Sequence, residues 1–156
     1  MKMRTPGRLV AVLGLVTLLG ACGSEPAGAA TGWLAVEGAD GHGRLQVEIA
    51  RSSEERAQGL SGRSSLPTDH GMVFLYPEPR RGAFWMKDTS IPLRIGFWDA
   101  SGTVISVMDM TPCAADPCPR YDPGVSYVGA VEASADDFEQ QGITTGAHVE
   151  LQGSAS

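Results

Sequence analysis

The run Phe84-Trp85-Met86-Lys87-Asp88-Thr89 brings an indole, an ammonium, a carboxylate and a hydroxyl within six residues. Read as a strand, it alternates its side chains. Phe84, Met86 and Asp88 face one way, and Trp85 and Lys87 the other. One face is then largely core, and the other sets an aromatic surface beside a cation. Arg63, on a loop after the first predicted helix, can add a guanidinium. Such a set (Arg63, Trp85, Lys87, Asp88 and Thr89) suits a small anionic or sugar-like ligand. The competing reading makes Trp85 core and pairs Lys87 with a surface acid, a common and weak interaction. Lys2 and Lys87 are the only lysines in the chain, whereas Arg fills the other basic positions. Arg and Lys are not chemically equivalent, so Lys87 points to a need for a compact ammonium.

Acid–base chemistry would draw on Asp88, Asp69 or Glu132. It needs two carboxylates on one cleft, which spacing alone does not establish. Met108 and Met110 are two apart on a predicted strand, so their thioethers share a face. Soft sulfur suits Cu(I), and core packing is the alternative. His42 and His148 read as exposed, and His70 has no patterned partner. Gly59-Leu60-Ser61-Gly62-Arg63 ends in Arg where a nucleophile elbow requires Gly. Zinc-protease, phosphate-loop and dinucleotide motifs are missing. No catalytic residue, metal or cofactor is assigned. Arg80-Arg81 reads as a solvated turn.

Residues 1–21 have the form of an export signal. Lys2, Arg4 and Arg8 precede an uncharged run over 9–20, too short to span a membrane. The run closes on Leu19-Gly20-Ala21-Cys22, which resembles a bacterial lipobox with Cys22 as the lipidation site. Residues 22–32 hold small residues, one proline and no large apolar side chain, and read as a flexible tether. A domain over 33–152 and a polar tail over 153–156 follow. The expected location is extracytoplasmic, anchored to the cell membrane or outer membrane through Cys22.

The full chain has 156 residues and a formal charge of −6. Without residues 1–21 it holds 9 Lys+Arg against 18 Asp+Glu, a charge of −9. That balance argues against a nucleic-acid partner. A monomer is expected. With Cys22 lipidated, Cys113 and Cys118 remain, and outside the cytoplasm their default state is a disulfide. A closed zinc site needs four ligands, and no histidine flanks these thiols.

These residues must be carried by short elements. Leu45, Val47 and Ile49 alternate with Gln46 and Glu48, as in a half-buried strand. Further strands are predicted over 33–37, 72–76, 82–87, 93–98, 103–110, 126–132 and 147–151. Asp40-Gly41 marks a turn between the first two. Ser52 and Ser53 offer N-caps to a short helix ending at Gly59, and a second helix is predicted over 136–141. Such close spacing leaves no room for crossover helices, so the sheet is mainly antiparallel. Six of the ten aromatics fall between Phe74 and Trp98, where the core should centre.

Arg56-Ala57-Gln58-Gly59-Leu60, Arg63-Ser64-Ser65-Leu66 and Gly71-Met72-Val73-Phe74 occur in that order. The run from Phe84 to Thr89, Ile91-Pro92-Leu93, Pro112-Cys113, Cys118 and Tyr121 follow. This series closely resembles the domain of unknown function 192 (DUF192) family, also called uncharacterised protein family 0127, over about 34–151. The resemblance implies a small, mainly β, barrel-like α+β domain and no established activity. Three positions depart from the family pattern: Asp88 stands where Asn is usual, Ser61 where Met is, and Arg94 where Asp is. The expectation is a non-enzymatic binding or accessory module. The alternatives are an enzyme on envelope carbohydrate using Asp88 or Glu132, and a thioether copper protein.

Overall fold

The computed structural model describes residues 29–39 and 41–155. The segment read as an export signal, Cys22 and the expected tether up to residue 28 lie outside them, as do Asp40 and Ser156. No helix among the described residues is long and apolar enough to cross a membrane.

Among the described residues nine strands and two helices follow one another: β1 (Ala30–Gly38), β2 (Gly41–Ala50), α1 (Ser53–Gln58), β3 (His70–Arg80), β4 (Phe84–Trp85), β5 (Leu93–Trp98), β6 (Val104–Met110), β7 (Arg120–Tyr121), β8 (Tyr127–Ala133), α2 (Ala135–Gln140) and β9 (His148–Ala155). Seven strands form one sheet in the order β6-β5-β8-β3-β2-β1-β9, and β4 pairs with β7 in a second. The α+β, mainly β class read from the sequence holds, as do the two short helices.

Three details differ from the sequence reading. β1 begins at Ala30, opposite Ile49 of β2, and β9 continues to Ala155 opposite Thr31. Both ends of the domain are thus extended by strand pairing into the segments read as tether and tail. The sheet is mainly antiparallel, as expected, but one pair makes it mixed. β2 and β3 run parallel while the other pairs are antiparallel. Residues 51–69 make the crossover, long enough for the dozen or so residues a parallel connection needs. Finally, the sheet curls without closing. Its edges meet at one end only, where Thr103 bridges His148.

Alternation along the strands sends apolar side chains to both faces. One cluster takes residues from all seven strands, Leu34, Leu45, Val73, Val131, Trp98, Val104 and Val149 among them, and is covered by Phe138 of α2. The other holds Phe74, Met86, Ile95, Phe97, Met110 and Tyr127 on the opposite face. Phe74, Phe84, Phe97 and Tyr127 meet there in edge-on and tilted pairs with centroids 4.9 to 6.3 Å apart. The aromatic concentration thus marks one of two cores.

α1 is built from local signals. Ser52 Oγ accepts the Glu55 N–H at 3.1 Å, and Glu55 Oε2 accepts the Ser52 N–H at 2.7 Å, a complete capping box. The Ser52 and Arg51 N–H groups, both donating to it, hold the Glu55 carboxyl below its ordinary range. Gly59 ends the helix at φ 49°. The predicted disulfide between Cys113 and Cys118 is formed.

Candidate functional site

Segment 82–87 is a strand only at Phe84 and Trp85, which pair with Tyr121 and Arg120. Beyond them the chain bends. Asp88 takes φ 56°, and the Thr89 N–H closes a turn onto the Met86 carbonyl at 3.0 Å. Aspartate is among the few non-glycine residues that tolerate this region. The Cys113 carbonyl accepts the Asp88 N–H at 3.1 Å, and the Asp88 carbonyl accepts the Gly62 N–H at 2.8 Å. The bend is thereby held between the cystine loop and the loop after α1. Its consequence for the side chains is that strict alternation fails: Met86 and Thr89 are buried, Asp88 is exposed, and Trp85 stays 46% exposed.

Between this segment and residues 56–61 lies a cavity of about 150 Å³. Trp85, Lys87, Asp88 and Thr89 line it, together with Arg56, Gln58, Leu60, Ser61 and Glu132. Four of the five predicted binding residues therefore share one cavity. Arg63 does not. Its main chain runs alongside, accepting a hydrogen bond from Ser90 Oγ at 2.9 Å, but its guanidinium forms a fork with Glu48 at 2.5 and 2.7 Å. That pairing raises the Arg63 pKa. Lys87 lies 5.8 Å from the centroid of the Trp85 ring, and its Nζ donates to Asp116 at 2.6 Å. The same pairing raises its pKa. Arg120 stands over the indole at 4.5 Å. The two cations expected to face a ligand are each paired with a carboxylate.

Glu132 is the unusual member. It sits on β8 between Met72 of β3 and Ile95 of β5, and is 5% exposed. Desolvation by these apolar neighbours pushes its carboxyl up to about 8. Among the described residues no hydrogen bond reaches that carboxyl, and it opens on the cavity. Asp88 lies on the same cavity, so two of the three acids named from the sequence converge there. Asp69 instead accepts from Gln141 Nε2 at 2.8 Å, near α2.

Met110 is buried and Met108 packs on the same aromatic cluster, the core-packing alternative to copper ligation. Among the described residues no group of three or more His, Cys, Asp or Glu is arranged to hold a metal ion. Arg94, one of the departures from the family pattern, pairs with Asp109 at 2.6 Å and Glu139 at 3.5 Å, away from the cavity.

Arg56, Tyr76 and Arg80 escaped the sequence reading. Arg80 is exposed, as expected, but it ends β3 opposite Tyr127 and packs over Tyr76, so it lies on a strand and not in a turn. Arg56 lay inside a quoted motif, which was the available signal.

The family model DUF192, described as an uncharacterized ACR, matches residues 35–151. No curated protein matches the chain significantly. Two solved structures are similar to it. One, from Sinorhizobium meliloti 1021, is described as a "putative transcription regulator"; it shares 27% identity at TM-score 0.74, over 81% of this chain and 98% of that one. The other, a protein of unknown function from Novosphingobium aromaticivorans DSM 12444, shares 29% identity at TM-score 0.72, over 80% of this chain and 87% of that one.

Proposed function

The chain belongs to the DUF192 family, and from that premise we propose an extracytoplasmic, lipid-anchored binding domain that holds a small sugar-like ring in the cavity over Glu132. Cys22 carries the anchor, supported by the charged start, the short apolar run and the lipobox-like ending. A Cys22→Ser variant is expected to leave the membrane fraction; its retention there would refute the anchor.

The observation that carries the ring is Glu132. The residue is buried while its carboxyl oxygens reach the cavity. Desolvating an acid costs stability, and groups perturbed in this way concentrate at functional sites. With its pKa near 8 the carboxyl is mostly protonated at neutral pH. It then offers both a donor and an acceptor, the pattern a hydroxyl group matches. An enclosed cavity of about 150 Å³ takes a benzene ring; this one is open, so a sugar ring would enter it over Glu132 with its remainder standing beside the exposed Trp85. Trp85 supplies an apolar wall. Because Lys87 and Arg63 are already paired, they add little pull on an anion.

The test is thermal unfolding of the full chain in detergent against a panel of neutral monosaccharides. At least one is expected to raise Tm, and Glu132→Met, matched in length, is expected to raise the basal Tm while abolishing the ligand shift. A panel without effect, or a shift that survives in Glu132→Met, would overturn the reading.

One observation favours a catalytic reading as a second possibility: Asp88 and Glu132 line the same cavity. Glu132, protonated, would be the general acid and Asp88 the second carboxylate. Aryl glycosides would then release their phenol, and Glu132→Gln would stop it.

A further inference from the structure

We propose that Arg56 and Arg80, flanking Tyr76, form an oxyanion site that receives a carboxylate or phosphate attached to the ring bound over Glu132. The inference deepens the preceding reading and rests on it only for the ring.

A second cavity, of about 270 Å³, adjoins the first. Arg56, Phe84 and Trp85 line both, so the two form neighbouring compartments across one wall. The Arg56 guanidinium stands 4.8 Å from the Tyr76 ring centroid and that of Arg80 4.7 Å, both lining this second cavity. Both are positioned by the fold. Arg56 Nη1 donates to the Leu75 carbonyl at 3.0 Å and also to the Arg51 carbonyl. Arg80 folds over Gly82, where φ is 151° and a Cβ would stand 2.6 Å from Arg80 Nη2.

Neither guanidinium has a carboxylate within 4.0 Å among the described residues. Arg63, Lys87 and Arg94 are each paired. Arg44, Arg51, Arg81 and Arg120 likewise have no such carboxylate among the described residues; what sets Arg56 and Arg80 apart is that both line one cavity and both stack on Tyr76. Glu132, the buried acid nearby, is mostly protonated at neutral pH and leaves their charge uncancelled. Guanidiniums present a planar fork that matches the two oxygens of a carboxylate or phosphate. The rings of Tyr76 and Phe84, half-buried, border the cavity and shield one side of such contacts from water. The ligand class is therefore an acidic sugar, a uronate or a sugar phosphate, with its ring toward Glu132 and its acid toward Tyr76.

Calorimetric titration of the full chain in detergent tests this with glucose, glucuronate, glucose 6-phosphate and inorganic phosphate. At least one acidic sugar is expected to bind about tenfold or more tightly than glucose, the scale of a charge-assisted contact. The tighter of the two identifies the oxyanion. Arg80→Gln is expected to remove the advantage, and Arg81→Gln, whose guanidinium donates instead to the Gly124 carbonyl, to keep it. Equal affinity for glucose and both acidic sugars would overturn the oxyanion site and leave the ring reading standing. Binding of phosphate with no affinity for any sugar would support the oxyanion site and overturn the ring. No binding of any probe, or an equal effect of the two Arg variants, would overturn the site.

Discussion

Replacing Glu132 by Gln should reshape the pH dependence of stability. The carboxyl ordinarily titrates at 4.5 and is pushed up to about 8 in the folded protein. Between those values the folded state keeps a proton that the unfolded chain has released. Stability therefore falls as pH rises through this window and levels off above it. The full window corresponds to roughly 5 kcal/mol, of which about 3 kcal/mol falls between pH 5 and pH 8. Glutamine keeps the shape and has no proton to lose. Urea unfolding at pH 5, 6.5 and 8, followed by tryptophan fluorescence, reads the difference directly. Buried Trp98 serves as the reporter. Other groups titrate alike in both proteins, so the gap between them isolates Glu132. The variant should gain about 3 kcal/mol on the wild type from pH 5 to pH 8. Parallel curves would show that Glu132 is ionised or hydrated in the folded state, and the argument from its burial would fall.

Removing the cystine as Cys113→Ser with Cys118→Ser should cost about 2 kcal/mol, the loop-entropy value for so short a ring, read as a lower urea midpoint. Asp88→Ala should cost about 1 kcal/mol because alanine is strained at φ 56°, while Asp88→Asn should be near neutral in the same unfolding assay. Gly129→Ala should cost about 3 kcal/mol, since its Cβ would stand 2.2 Å from Trp98 Cζ2, and Tm should drop accordingly.

Much of the local structure was legible in the residues. Ser52, Glu55 and Gly59 delimit α1 because caps act within one turn. Leu45, Val47 and Ile49 announce β2 because one sheet face is buried. The parallel β2–β3 pair was not legible, since its 19-residue crossover carries only a six-residue helix. The candidate site divides in the same way. Trp85, Lys87, Asp88 and Thr89 are neighbours in sequence and stay together around the cavity, although Asp88 breaks the strand that alternation predicts. Arg63 leaves the set because Glu48, on β2, claims its guanidinium.

The residue types alone thus determined the available chemistry, the class of fold and the capped first helix, all of which depend on contacts a few residues apart. Tertiary structure decided which charges remain free. Arg56 and Arg80 both reach Tyr76 only because the crossover brings the Arg56 side chain of α1 to Leu75 and Tyr76 of β3. Glu132 titrates high only because β3 and β5 bring Met72 and Ile95 to either side of it. Both outcomes depend on desolvation and pairing between residues distant along the chain, and no spacing of residues in the sequence encodes that distance.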